Sequence, residues 1–132
     1  MSLITKAIKQ KRSWSDGVRI SVMSRHTLSD GVTPDPDISA SSFDEHWPQL
    51  APPATLIGAY YKRGLSWEVF ADQFNQYLMT AEVRLHLLNL IRLALAGNVT
   101  ILCIESSPEK CHRRLIAETC SVLNPSLEVL LQ

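Results

Sequence analysis

Cysteine is scarce in this chain. There are three, an odd number in no repeated spacing, which argues against a disulfide framework. That usage fits a reducing compartment, and a cytoplasmic location is expected. No apolar run is long enough to span a bilayer, so no membrane association is expected. The first residues lack the charged-then-apolar pattern of a secretory signal. Charge of either sign is not in excess, with 13 basic and 13 acidic residues. A general nucleic-acid coat needs a basic surplus, so binding of that kind is left to a local patch at most. No internal repeat is visible.

What is present is ordinary for a globular protein: 132 residues, 45% hydrophobic and 20% charged. Residues 1–132 are read as one domain, long enough to remove roughly two thirds of its unfolded surface from water. Leu3–Ile8 is a strand candidate with partial alternation, and Val18–Met23 is a second. The basic run Lys9–Arg12 and the turn signal Ser15-Asp16-Gly17 lie between them. Solvated charges around a turn are the expected reading of that run.

Residues 26–41 carry Asp-Gly, prolines and serines with no apolar period, which predicts an irregular surface loop bordering a site. Ser42-Phe43-Asp44-Glu45 matches a capping box and predicts one turn of helix ended by Pro48. Helices are expected over Thr55–Tyr61, from Ser66 through Leu78, and from Thr80 to Gly97. The stripe Trp67, Phe70, Phe74, Tyr77 reads as core rather than as a stacking platform. Leu127–Leu131 is a last short strand. Helices and strands alternate, so the expected fold is α/β, a small and largely parallel sheet flanked by helices.

Val99–Arg114 holds the one dense cluster of chemically capable side chains. Val99–Ile104 is a short β-branched run, as a central parallel strand should be. Ser106 with Glu109, or Ser107 with Pro108, predicts a helix start near Pro108. In an open parallel sheet, ligands bind beyond the carboxyl ends of the strands, where helix starts present free N–H groups. At about 100° per residue, His112 falls at the centre of an apolar stripe formed by Leu115, Ile116, Thr119, Cys120, Val122 and Leu123. Arg114, Ala117 and Glu118 fall opposite, and Cys111 and Arg113 on the flanks. His112 is therefore expected to point inward near Cys103 or Glu105, with Arg113 free to reach across the loop mouth.

Three blocks resemble a known family: SDGVRISVMSR at 15–25, the stretch from Phe43 through Leu78, and LCIESSPEKCHRR at 102–114. They are similar to the family called domain of unknown function 488, the last block to its cysteine-and-CHR form. The resemblance implies an α/β domain of a cytoplasmic bacterial or archaeal protein, and no known reaction. Many members carry a Trp-Pro-Arg-Gly segment after the second strand. Here His26-Thr27-Leu28-Ser29-Asp30-Gly31 lacks it, and Arg25 is displaced by one residue.

The residues leave several readings open. The first is a site for a small anionic, phosphorylated or nucleotide ligand. Arg25, Ser106, Ser107 and Arg113 would hold it, and Cys103, Glu105, Cys111 and His112 would supply any catalysis. On that reading Cys111 is expected to react with thiol reagents faster than Cys120, which should face the core. A phosphatase or rhodanese loop is excluded, since six positions after Cys103 comes Glu109 and six after Cys111 comes Ala117. The second reading is nucleic-acid binding through the basic first third and Arg113-Arg114. The third is zinc on Cys103, Glu105, Cys111 and His112, against which the spacing counts; no metal or cofactor is expected. A purely structural role is the fourth, with cysteines as core fillers and Glu105 paired to Arg113 or Arg19.

Overall fold

Strand β1 (Ser2–Ala7) is followed by a 3₁₀ turn at Trp14–Asp16 and by β2 (Val18–Ser21). The computed structural model describes residues 1–132. After a long irregular segment come β3 (Glu45–His46), α1 (Ala54–Arg63), α2 (Trp67–Leu78), α3 (Ala81–Ala96), β4 (Val99–Cys103), α4 (His112–Leu123) and β5 (Glu128–Leu131). The five strands form one sheet in the order β3-β2-β4-β1-β5. Every pairing in it is parallel.

This order decides where a site can form. The connections β1 to β2 and β2 to β3 move toward the β3 edge. Those from β3 to β4 and from β4 to β5 move toward the other edge. Right-handed crossovers put the two sets on opposite faces. The helices all belong to the second set. They pack on Leu3, Ile20, Val99 and Ile101, which share one face by register, in a single apolar cluster with Phe70, Phe74, Leu87, Leu90 and Ile116. The opposite face carries Lys6, Arg19, Thr100 and Leu102 and is covered by the segments that follow β1 and β2.

That second face is polar and closed by charge. Asp16 is fully buried, pairs with Lys6 and receives Arg19 Nη1 at 2.8 Å. Arg19 Nε donates to the Ser42 carbonyl at 2.9 Å, and Thr100 Oγ1 to the Asp16 carbonyl at 2.8 Å. Gly17 sits at φ +64°, with the Asn98 carbonyl oxygen 1.8 Å from where a Cβ would stand. Only glycine lets the chain turn there into β2. Two of the three charges in Lys9–Arg12 are paired rather than merely solvated, Lys9 with Asp35 at 3.2 Å and Arg12 with Asp44 at 2.9 Å, while Lys11 is exposed.

Two local expectations are corrected. Ser42–Glu45 opens no helical turn. The two side chains of that capping box are used elsewhere: Ser42 Oγ accepts from the Ser39 backbone N–H at 3.1 Å and the Glu45 carboxylate from Trp47 Nε1 at 2.9 Å, while Asp44 accepts from the Arg19 backbone N–H at 2.8 Å and from Arg12. Glu45 and His46 then pair with Ile20 and Ser21 as an edge strand. The last helix begins at His112, not near Pro108, with Cys111 as its N-cap. Glu109 and Lys110 are exposed, and nothing apolar there repays the cost of a helical turn.

Residues 26–41 are irregular apart from one bridge between Thr27 and Pro34, as the composition implies. The segment is tied to the sheet, with Ser21 Oγ and His26 Nε2 2.7 Å apart. Leu28 and Val32 are exposed, while Asp35 is buried.

Candidate functional site

The chain leaves β2 and its neighbour β4 toward opposite faces. A crevice therefore opens between their carboxyl ends, where open parallel sheets place ligands. A cleft of about 550 Å³ lies there. Its floor comes from Met23, Ser24 and Arg25 after β2, and from Cys103, Ile104 and Glu105 around the end of β4. Tyr60, Tyr61 and Lys62 of α1, Trp67 and Phe70 of α2, and Thr27, Leu28, Ser29 and Gly31 of the long loop form its walls. Lys110 and His112 also line it, as do Ile57 and Gly58 of α1. The size suits a small organic molecule. A smaller hollow of about 220 Å³ on Lys9, Arg12 and Arg19 is less free to bind, because those cations already have carboxylate partners.

His112 stands between the two strand ends. Its Nε2 lies 2.8 Å from the Val22 carbonyl, and its Nδ1 lies 3.4 Å from Cys103 Sγ. A carbonyl only accepts, so Nε2 carries a proton and donates it. Nδ1 is left to exchange a proton with the Cys103 thiol. Nucleophile, base and orienting group thus stand in one line, the arrangement that activates a thiol or hydroxyl in nucleophilic catalysis. Phe74 meets the ring edge-on at 5.6 Å and fixes it from the core side. The inward placement expected of His112 holds, as does its proximity to Cys103.

Cys103 is 4% exposed and lines the cleft. Its acidity is raised: the Cys111 thiol donates to it, and burial opposes this. The backbone N–H groups of Ile104 and Glu105 and the Arg113 charge add to the lowering. Cys111 shifts the other way, its thiol held protonated by the same contact with Cys103 and by burial. Cys120 is pushed up to about 12 by burial alone. The thiol drawn toward thiolate is therefore Cys103. Cys111, expected to be more reactive than Cys120, is buried like it.

Arg113 does not reach across the loop mouth. It is fully buried; its Nη1 donates to the Glu105 carbonyl at 2.7 Å and its Nη2 to the Gln132 carbonyl at 3.3 Å. No Asp or Glu side chain pairs with it, and its Nε has no partner. The single-stripe reading of α4 fails because this helix is covered on two sides, by β1, β4 and β5 and by α2 and α3. Arg113 and Ala117 are accordingly buried, and Val122 is exposed. Arg114 is partly covered, its guanidinium 5.7 Å from the centre of the Trp67 ring. We expect Arg113→Met to cost about 1–3 kcal/mol through the carbonyls left unpaired. It should also move the pH profile of Cys103 alkylation upward, since a positive charge beside the thiolate is lost. An unchanged profile would show that the charge does not reach the sulfur.

Glu105 pairs with neither Arg113 nor Arg19. Its carboxylate accepts from the Tyr61 hydroxyl at 2.8 Å, on the cleft wall. Burial and that carboxylate push the Tyr61 phenol well above its ordinary range, so it remains a donor. Of the residues expected to hold a ligand, Arg25 lines the cleft, where its Nη1 donates to the Gly31 carbonyl at 3.2 Å. Ser106 and Ser107 lie on the exposed loop before α4, outside the lining. Tyr60, Tyr61, Lys62 and Lys110 were not anticipated. The first three end an unremarkable amphipathic helix, and only the tertiary fold carries them over β4.

The sulfurs of Cys103 and Cys111 and one ring nitrogen of His112 lie within 4.8 Å of one another. They are three of the four ligands that a tetrahedral metal takes.

An all-parallel sheet with a thiol–imidazole pair at its switch point defines a class: a small α/β domain built around a cysteine-bearing cleft. A family model described as "Active DUF488-N3 subclade" matches residues 3–121, and the chain belongs to that family. No curated protein and no solved structure matches it. No helix is long and apolar enough to cross a membrane.

Proposed function

We propose that the cleft binds a small anionic organic molecule, phosphorylated or nucleotide-like, and that Cys103 acts on it as a thiolate nucleophile. His112 is the proton acceptor on this reading, and Val22 sets its tautomer. The observation that carries the proposal is the line Cys103–His112–Val22 opening onto a ligand-sized cleft. Arg25, Lys62 and Lys110 supply three positive charges around the cleft against the single carboxylate of Glu105. Tyr60, Trp67 and Phe70 offer apolar faces for the uncharged part of the ligand. The description of the matching subclade as active agrees with a working site. A role limited to structure accounts less well for a thiol lowered in pKa at the floor of an open cleft.

The test uses inorganic pyrophosphate as the probe. It should bind by calorimetry and slow the alkylation of Cys103 by iodoacetamide. Arg25→Ala and Lys110→Ala should each weaken binding about tenfold, the loss of one charge-assisted hydrogen bond. Unchanged alkylation at saturating pyrophosphate would refute the anion site. Tighter binding of a short single-stranded oligonucleotide, lost steeply with salt, would move the reading to nucleic acid. Zinc on Cys103, Cys111 and His112 is the second reading, favoured by the closeness of those atoms. Elemental analysis of the purified protein separates it, since a ligating thiolate is not a free nucleophile.

A further inference from the structure

Cys111 has no part in the chemistry proposed above. It is 2% exposed and packs in the same small apolar cluster as Cys103. The two sulfurs lie within 4.8 Å of one another. Cys103 ends β4 and Cys111 caps α4, so the segment Ile104–Lys110 joins them in the sequence. That segment is bend and turn with no helix or strand to resist a small shift. Arg113 adds a buried cation with no Asp or Glu partner. Of the two thiols, Cys103 faces the cleft and Cys111 stands behind it.

We propose that Cys103 and Cys111 form a dithiol–disulfide couple that reduces hydroperoxides. The inference rests on the reading of Cys103 as a cleft thiolate, but it needs no anion in the cleft. In the first step the Cys103 thiolate attacks the terminal peroxide oxygen. The O–O bond breaks, an alkoxide or hydroxide leaves and takes up a proton, and Cys103 becomes a sulfenic acid. Sulfur loses two electrons and the peroxide gains them. In the second step Cys111, as it loses its proton, attacks the Cys103 sulfur. The S–O bond breaks, water leaves and a disulfide forms. Two thiols and one hydroperoxide thus give a disulfide, an alcohol or water, and water. A small dithiol reductant restores both thiols.

The geometry supports this order of events. Cys103 is the sulfur that an oxidant entering the cleft meets first, and His112 Nδ1 lies 3.4 Å from it, placed to take its proton. The Cys111 sulfur lies within 4.8 Å, so the sulfenic acid is resolved within the molecule. Cys120 faces the core two turns along α4 and takes no part.

The experiment treats the folded, metal-free protein with hydrogen peroxide and follows intact mass, peptide mapping and peroxide consumption. The wild type should lose two hydrogens, map to a Cys103–Cys111 bond and recover with dithiothreitol. Cys111→Ser should stop at a sulfenic acid that dimedone traps on Cys103. Cys103→Ser should consume no peroxide, and Cys120→Ala should behave as the wild type. Three free thiols surviving in the wild type would overturn the proposal, as would a bond to Cys120 or between two chains. Mapping the wild type keeps the test valid even where a variant fails to fold. Iodoacetamide labelling of Cys103 that persists without disulfide formation would sink this inference alone. Failure of that labelling would sink the reading beneath it as well.

Discussion

Iodoacetamide added to the folded protein at neutral pH should modify Cys103 and leave Cys111 and Cys120 intact. An ordinary thiol, with a pKa of about 8.5, is only about 3% ionised at pH 7, and the thiolate is the reacting form. Cys103 is held below that range by the Cys111 donor, against burial, with two backbone N–H groups and Arg113 helping. Cys111 and Cys120 are both displaced upward. The rate of Cys103 modification should therefore rise at lower pH than that of a free thiol and level off sooner. Cys103→Ser should abolish it. His112→Gln should slow it by about 10²-fold, the lower end of what a positioned proton acceptor contributes. The Gln variant should remain folded, because an amide can still donate to the Val22 carbonyl. Peptide mapping of the labelled protein is the readout. Equal labelling of all three cysteines would show that the contacts around Cys103 do not set its acidity.

The part of this site legible in the sequence was its location. A β-branched run, a polar loop and a cysteine-histidine-arginine cluster fix a strand end and a helix start by local physics alone. His112 pointing inward followed from the angular spacing, as did the burial of Leu115, Ile116 and Cys120, though Val122 of that stripe is exposed and Ala117 opposite it is buried. Roles within the cluster were not legible. Whether Cys103 or Cys111 becomes the thiolate depends on which thiol donates, and that is set by the tertiary contact between β4 and the α4 cap. Arg113 illustrates the same limit. A helix covered on two sides has no single apolar stripe, so an arginine at its start can be buried. The cleft walls were hidden for a different reason. Tyr61 and Lys62 lie some forty positions from Cys103 in the sequence, and only the switch in strand order brings α1 over β4. The helices and strands with a clear period and a clear stop were recovered. Glu45–His46 was not, because two residues carry no period, and the strand exists only where β2 offers an edge.

Asp16→Ala should be the most damaging single substitution outside the apolar core. Asp16 is fully buried and accepts from Lys6, from Arg19 Nη1 at 2.8 Å and from the Ser13 backbone N–H at 3.0 Å. Arg19 is 1% exposed, and its other donors go to carbonyls of Ile8, Gln10 and Ser42. Removing the carboxylate leaves the buried Arg19 and the partly buried Lys6 side by side with no anion between them. A buried pair broken from one side costs about 3–5 kcal/mol. Small domains hold about 5–15 kcal/mol in all, so the variant should sit near the edge of folding. Urea unfolding should show a much lower midpoint at unchanged slope. Asp16→Asn should lose less, because it keeps an acceptor oxygen. The pH dependence has a definite sign. Burial pushes the Asp16 carboxyl up, but Lys6, the Ser13 N–H and Arg19 outweigh it, and the net shift is downward. A carboxyl depressed in the folded state contributes stability above its unfolded pKa. That stability is lost as the pH falls through the folded value. The wild type should therefore lose stability below the ordinary carboxylate range, and Asp16→Ala should lose less over the same interval. The consequence reaches the cleft, because Arg19 and Val22 lie on the same short stretch of chain. Arg19 fixes β2 from below, and the Val22 carbonyl at its end holds His112 Nε2 at 2.8 Å. Weakening the polar face should loosen that carbonyl and slow Cys103 alkylation even in molecules that remain folded. A midpoint equal to that of the wild type would show that Lys6 and Arg19 find other partners.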